Sequence, residues 1–344
     1  MVHLMTFDEA VSDAVSFSGS QPTVLLGNGF SIDYDNRIFN YDSLATQASL
    51  SGLSVTKAAL FAAAQSNNFE TVVDKLQAAA DLQDLYKPGG ALAGRLRSDA
   101  AVVRHGLAEA LATRHPDKAT DVDNDEILHA RTFLANFQAI FTVNYDLLLY
   151  WAVTRDAVGP FVWQKDGFEW PTWRVGPLIW KRNPTQGAQR IFYLHGALHL
   201  FVEDQRLTKL SGFEHGRLIS ELRQRLNDDK YPLVVTEGTR TEKEAHIEKS
   251  AYLRTSHRRF GEVGDSLFIH GMSLSPNDDH ILELIETDES EITALYVAVH
   301  GDPGTRAARR VIDRAKRIRD ERRDGGGAAL RLKFYDSTSA HVWR

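Results

Sequence analysis

Cysteine is absent from all 344 residues. That removes disulfides, Cys-ligated zinc, iron–sulfur clusters and thiol nucleophiles together. No uninterrupted apolar run approaches the ~18 residues of a membrane span. An excess of positive charge is missing too: 40 Lys and Arg stand against 46 Asp and Glu, a formal charge of −6. The chain as a whole lacks the field on which sequence-independent nucleic-acid binding relies. Residues 1–10 carry Asp8 and Glu9 and lack a basic stretch followed by an apolar one, which predicts no secretory signal and makes the cytoplasm the expected location. Repeats and low-complexity tracts are missing as well. At 43% hydrophobic and 25% charged, the composition is that of a folded chain. The length exceeds the ~250–300 residues at which one core stops growing, so one large domain with an insertion, or two domains, is expected.

What is present begins with short runs rich in β-branched and aromatic residues. They are Thr23-Val24-Leu25-Leu26, Ala139-Ile140-Phe141-Thr142-Val143, Ile191-Phe192-Tyr193-Leu194, Leu233-Val234-Val235-Thr236, Ser266-Leu267-Phe268-Ile269, a run over 294–299, and Leu330-Arg331-Leu332-Lys333-Phe334. Most are apolar on both faces, as strands of a parallel sheet covered by helices on both sides are; a short run is also compatible with a buried helix fragment. Residues 43–136 change to Ala- and Leu-rich helical spacing, with Phe69, Val72, Val73 and Leu76 on one face, and predict a helical insertion. Pro116 and four Asp residues in 115–125 predict a flexible surface loop at its end.

Trp151, Trp163, Trp170, Trp173 and Trp180 fall in a segment, 151–190, interrupted by Pro160, Pro171 and Pro177. It cannot be one helix and is expected to be an irregular aromatic excursion, either packing a loop-rich subdomain or forming a lid that excludes water. Residues 305–324 read as a helix with Ala308, Val311, Ile312, Ala315 and Ile318 on one stripe and nine Arg or Lys elsewhere: a solvated outer helix, or a docking face for nucleic acid or an acidic partner. Gly325-Gly326-Gly327 is expected to end it.

Four constellations stand where strands are expected to end. Leu26-Gly27-Asn28-Gly29-Phe30-Ser31 offers a Gly-x-Gly turn whose backbone can approach a phosphate at a helix start. The third glycine of the dinucleotide fingerprint is missing. Thr142-Val143-Asn144-Tyr145-Asp146 places Asn144 and Asp146 beyond a strand's carboxyl end, as ligand contacts or as an Asx turn or helix cap. Tyr193-Leu194-His195-Gly196 leaves an imidazole uncovered and able to take a proton. His199 follows four residues later, but Gly196 interrupts any helix that would align the pair for a metal. His270-Gly271-Met272-Ser273-Leu274-Ser275-Pro276-Asn277-Asp278 reads as a Gly-x-Ser turn and a helix start, with Asp278 closing a capping box or touching a ligand.

The order of these four motifs along the chain resembles the sirtuin fold family, and most of all the bacterial sirtuin-like proteins of antiphage defence. The resemblance spans about 20 to 340, although its motifs occupy only some twenty-five residues. It implies an α/β, Rossmann-like parallel sheet with helices on both faces, plus the helical insertion, as a single domain over 1–344. It further implies that Gly27, Asn28, Gly29, Phe30 and Ser31 surround the phosphates of NAD, that Gly271, Ser273 and Asp278 take the far ribose, and that Asn144, Asp146 and His195 are catalytic. Peptide-deacylating sirtuins carry a four-Cys zinc module and an Ile-Pro-Asp-Phe-Arg segment. Here cysteine is absent and the nearest match is Ile38-Phe39-Asn40-Tyr41-Asp42. The expectation is therefore an NAD glycohydrolase with NAD as substrate and no metal. A resting state held inactive by a partner protein or homo-oligomer is part of it, with neither a membrane nor nucleic acid as a direct ligand. A non-catalytic NAD- or ADP-ribose-sensing module, and a protein deacylase or ADP-ribosyltransferase, are the alternatives.

Overall fold

A computed structural model describes residues 2–39, 48–66, 69–171, 177–185, 187–211, 218–228, 230–235 and 240–344. Helix α1 (Phe7–Ser18) starts on a Thr6/Glu9 capping box and stops at Gly19, at φ +72°. Strand β1 (Thr23–Leu26) follows. Next come α2 (Gly29–Tyr34), α3 (Asn36–Phe39), α4 (Lys57–Ala64), α5 (Phe69–Tyr86), α6 (Ala91–Arg114) and α7 (Asn124–Leu134). The chain continues through β2 (Ala139–Thr142), α8 (Leu148–Thr154), β3 (Phe168–Glu169), β4 (Leu178–Trp180) and β5 (Ile191–Tyr193). Then come β6 (Leu200–Glu203), β7 (Arg206–Lys209), α9 (Leu218–Asn227), α10 (Arg240–Lys249) and α11 (Ala251–Gly261). Strand β8 (Asp265–His270), α12 (Asp279–Glu286), β9 (Ile292–Val299), α13 (Arg306–Asp324) and β10 (Arg331–Asp336) complete the order.

Six strands form one sheet in the order β10-β9-β8-β1-β2-β5, every neighbouring pair parallel. Numbered among themselves along the chain, they lie 3-2-1-4-5-6, the doubly wound Rossmann arrangement. Alternation along each strand divides the core. Val24, Leu26, Phe268 and Tyr296 face one buried cluster with α1 and α7, while Leu25, Leu267, Ile269 and Val297 face another with α11, α12 and α13. Helices cover both faces because both faces are apolar. The strand order reverses between β1 and β8, where ligands of such sheets bind. Among the described residues no helix is long and apolar enough to cross a membrane.

Several sequence expectations change here. Leu233, Val234 and Val235 contribute an isolated bridge from Val234 to Gly196 rather than a strand; Gly196 lies in a loop, and Thr236 lies outside the described residues. The Trp-rich segment is not wholly irregular: β3 and β4 join β7 and β6 in an antiparallel four-stranded sheet. Trp180 meets Tyr252 edge to face at 5.5 Å, and Trp151 is buried; Trp173 lies outside the described residues. The segment 115–125 is tied down rather than free. His115 is buried, and its Nε2 accepts the Leu147 N–H at 2.9 Å. Asp123 and Glu126 form a capping box that starts α7. Asn40, Tyr41, Asp42 and 43–47 lie outside the described residues.

The basic helix α13 uses part of its charge internally. Arg314 bridges Asp279 and Glu286 at 2.9 and 2.7 Å, and Arg322 donates to the Ile292 and Ser290 carbonyls. Both are buried, where unpaired charge would be costly.

Candidate functional site at the carboxyl edge of the sheet

One cleft of about 920 Å³ follows the carboxyl ends of the strands. Gly27, Asn28 and Gly29 after β1, Asn144 and Asp146 after β2, His195 after β5, and Gly271, Ser273 and Asp278 after β8 all line it. Its size is near the top of the usual ligand-pocket range. The far end is lined by Ala298 and His300 after β9 and by Ser337, Thr338, His341 and Arg344 after β10. Phe30 and Ser31 are not among the lining residues. Phe30 is core: its ring meets Trp343 at 5.2 Å, and its carbonyl accepts the Trp343 indole N–H at 2.7 Å.

Ser31, with no exposed surface, sits under the floor. Its hydroxyl donates to Asp146 Oδ2 at 2.5 Å and accepts from Asn144 Nδ2 at 3.1 Å. Asn144 Nδ2 also donates to the Gly27 carbonyl at 3.0 Å. The chain of bonds has one sense. A carboxylate only accepts, so Ser31 gives it its single proton and must accept from an amide N–H. The Asn144 amide is thereby oriented with its nitrogen inward, leaving its carbonyl oxygen as the end available to the cleft. Asp146 Oδ1 takes the Leu148 N–H at 2.8 Å, an Asx turn into α8. Burial raises the Asp146 pKa, and the Ser31 and Leu148 bonds oppose the rise.

The three glycines are needed for each other. A Cβ on Gly27 would lie 2.8 Å from the Gly271 carbonyl oxygen, and one on Gly271, at φ +73°, would lie 2.6 Å from the Phe30 nitrogen. Gly29 N–H donates to the Gly271 carbonyl at 2.7 Å, and Phe30 N–H to the Gly27 carbonyl at 3.0 Å. The Gly-x-Gly turn therefore spends two amides on fold contacts that a phosphate cradle would use. Leu274, buried at φ +52°, marks a strained bend in the same loop pair. Ser275 Oγ accepts from Asn277 N–H at 3.2 Å, and a short 3₁₀ turn, Pro276–Asp278, precedes α12.

His195 is buried beside His280, their Nε2 atoms 2.9 Å apart. Burial, then His280, Lys243 and His257, hold its imidazole well below the usual histidine range. Lys243 carried no motif in the sequence. It is buried on α10, lines the cleft, donates to the Asn277 carbonyl at 2.8 Å and stands 4.0 Å from Asp278 Oδ1. His270 forms part of the lining, bonded through Nδ1 to the Tyr335 hydroxyl at 2.9 Å and pushed down to about 4 by burial. His300, His341 and Arg344, which the motifs did not reveal, also line the cleft.

In size and donor set the cleft fits an anionic, hydroxyl-rich ligand, with Lys243 and Arg344 as cations and Asn144, Ser273 and Asp278 for hydroxyls. Among the described residues no group of three or more His, Asp or Glu could hold a metal. None of Trp151, Trp163, Trp170 and Trp180 lines the cleft. His199 is fully buried between Tyr150 and Tyr193, at 4.7 and 5.2 Å between ring centroids. The family described as a domain of unknown function (DUF4917) matches residues 24–343. No curated protein matches the chain.

Proposed function

The chain belongs to the DUF4917 family, and with that and the cleft as premises we propose that it binds NAD along the sheet edge and hydrolyses it to nicotinamide and ADP-ribose. One observation carries the reading: Gly27, Asn144, His195 and Gly271, from four separate strand ends, line a single cleft of dinucleotide size.

Cleavage of the nicotinamide–ribose bond sends the bonding pair to the pyridinium ring. Nicotinamide leaves neutral, and the ribose carbon becomes oxocarbenium-like. Water then bonds to that carbon and releases a proton to a base. Asn144 supports this chemistry through its available carbonyl, an acceptor able to orient a water or a ribose hydroxyl. His195 is the candidate base, kept neutral by burial. Lys243 and Arg344 supply positive charge for the pyrophosphate. Asp146 acts on Asn144 through Ser31 in this reading, since both of its oxygens already accept bonds from the fold.

The test is chromatography of NAD incubated with purified protein, alone and with candidate activators. Nicotinamide and ADP-ribose are expected, and Asn144→Ala or His195→Ala should abolish them; full turnover in both variants sinks the site assignment. A second reading, NAD or ADP-ribose binding without turnover, is favoured by one observation: the His195 Nε2 is already hydrogen-bonded to His280. Calorimetry giving tight NAD binding with no nicotinamide release would select it.

A further inference from the structure

Three imidazoles from three elements stand in a row at the wall of the cleft. The His195 and His280 rings are 5.1 Å apart and 15° from parallel; His280 and His257 are 5.8 Å apart at 24°. His257 Nε2–H donates to the Leu194 carbonyl at 3.1 Å. His195 lines the cleft, whereas His280 on α12 and His257 on α11 are not among the lining residues.

Only one proton fits between the His195 and His280 Nε2 atoms, 2.9 Å apart. The Val143 backbone favours the protonated ring, and with Nε2 turned to His280 the neutral tautomer that keeps this interaction carries its N–H on Nδ1. A neutral His195 then has its lone pair at Nε2, and the shared proton belongs to His280. The lone pair a base would use is spent on His280. The charged or titratable groups acting on His195 are His280 from α12, Lys243 from α10 and His257 from α11, and all of them disfavour its protonation.

We propose that His280 is a positioning residue that latches His195 in the unliganded chain, so that proton uptake by His195 begins only when the two rings part. Its consequence for rate rests on the glycohydrolase reading; the hydrogen bond does not. The coupling to ligand is built into the chain. Ser273, Ser275, Asn277 and Asp278 line the cleft, and His280 follows two residues after Asp278. A nucleotide seated on that loop presses on the start of the helix that carries the latch.

Nitrogen NMR of the histidine rings in the wild-type protein should place the Nε2 proton on His280 and none on His195 Nε2. His280→Phe should raise NAD cleavage roughly fivefold, the worth of one ordinary hydrogen bond. The acid limb of its pH profile should move to higher pH, because a neighbour that depresses His195 is gone. His280→Gln, whose amide can donate again, should bring the rate back toward wild type. A slower His280→Phe with an unmoved acid limb, or a protonated His195 Nε2 in the wild type, overturns the latch. If the wild type cleaves no NAD under any condition, the glycohydrolase reading fails, and the NMR result still decides whether the latch exists.

Discussion

Replacing Ser31 with alanine removes one oxygen from beneath the cleft floor and changes little else. That oxygen donates to Asp146 and accepts from Asn144 in a place without solvent contact. A hydrogen bond to a carboxylate contributes roughly 1.5–3 kcal/mol and a neutral one about 1 kcal/mol. Alanine leaves both partners short of a bond, so the expected loss of stability is about 3 kcal/mol. Part of the effect reaches Asp146: the Ser31 bond opposes the burial that raises its pKa, and without it the carboxyl is protonated more readily. The Asn144 amide also loses the contact that fixes its sense, and NAD cleavage should fall about tenfold, equivalent to some 1.4 kcal/mol of lost orientation. Urea unfolding followed by tryptophan fluorescence should show a midpoint lowered by about 1 M or more at constant slope. A loss under about 1 kcal/mol with cleavage unchanged would refute the bond directions assigned to Asp146, Ser31 and Asn144.

Gly271→Ala places a Cβ 2.6 Å from the Phe30 nitrogen at φ +73°. Left-handed strain of roughly 1–2 kcal/mol adds to the parting of two backbones, and a thermal melt should drop by several degrees; an unchanged melting point would show that the loops separate freely. Acid should also destabilise the protein. His115 and His270 are buried and pushed down to about 4, while unfolded histidines take up a proton near 6.5. Their contribution is complete above pH 6.5 and is lost as pH falls toward 4, about 3 kcal/mol for each. A flat urea midpoint between pH 7 and pH 5 would contradict this.

The parallel sheet was legible because β1, β2, β5, β8 and β9 are apolar on both faces, a pattern that burial between two helical layers enforces. The hairpin β6–β7 was not. Asp204 and Gln205 both take positive φ, the geometry of a tight two-residue turn, without the Asn-Gly or Asp-Gly pair that signals one. The Leu233 run misled because Leu233 and Val235 bond to His195, Ala197 and Leu200 at the start of β6 without extending into a ladder. At the site, strand-end motifs pointed to Gly27, Asn144, His195 and Gly271 because a loop glycine or short polar residue after an apolar run has few other uses. Lys243 and His280 sit inside ordinary helices, and nothing local distinguishes them from surface residues. Ser31 was read as facing a ligand, since sequence cannot tell the outward side of a one-turn bend from the inward side.

The Trp343 indole donates to the Phe30 carbonyl across 313 positions of sequence, and its ring packs on Tyr34 at 5.3 Å. The loop after β1 is thus braced by a residue more than three hundred peptide bonds further along the chain. A ribosome-bound chain that has emerged only as far as β9 has neither this brace nor the β10 end of the pocket. The two ends of the cleft are thus held together by segments that lie far apart along the chain, and neither can keep its shape without the other.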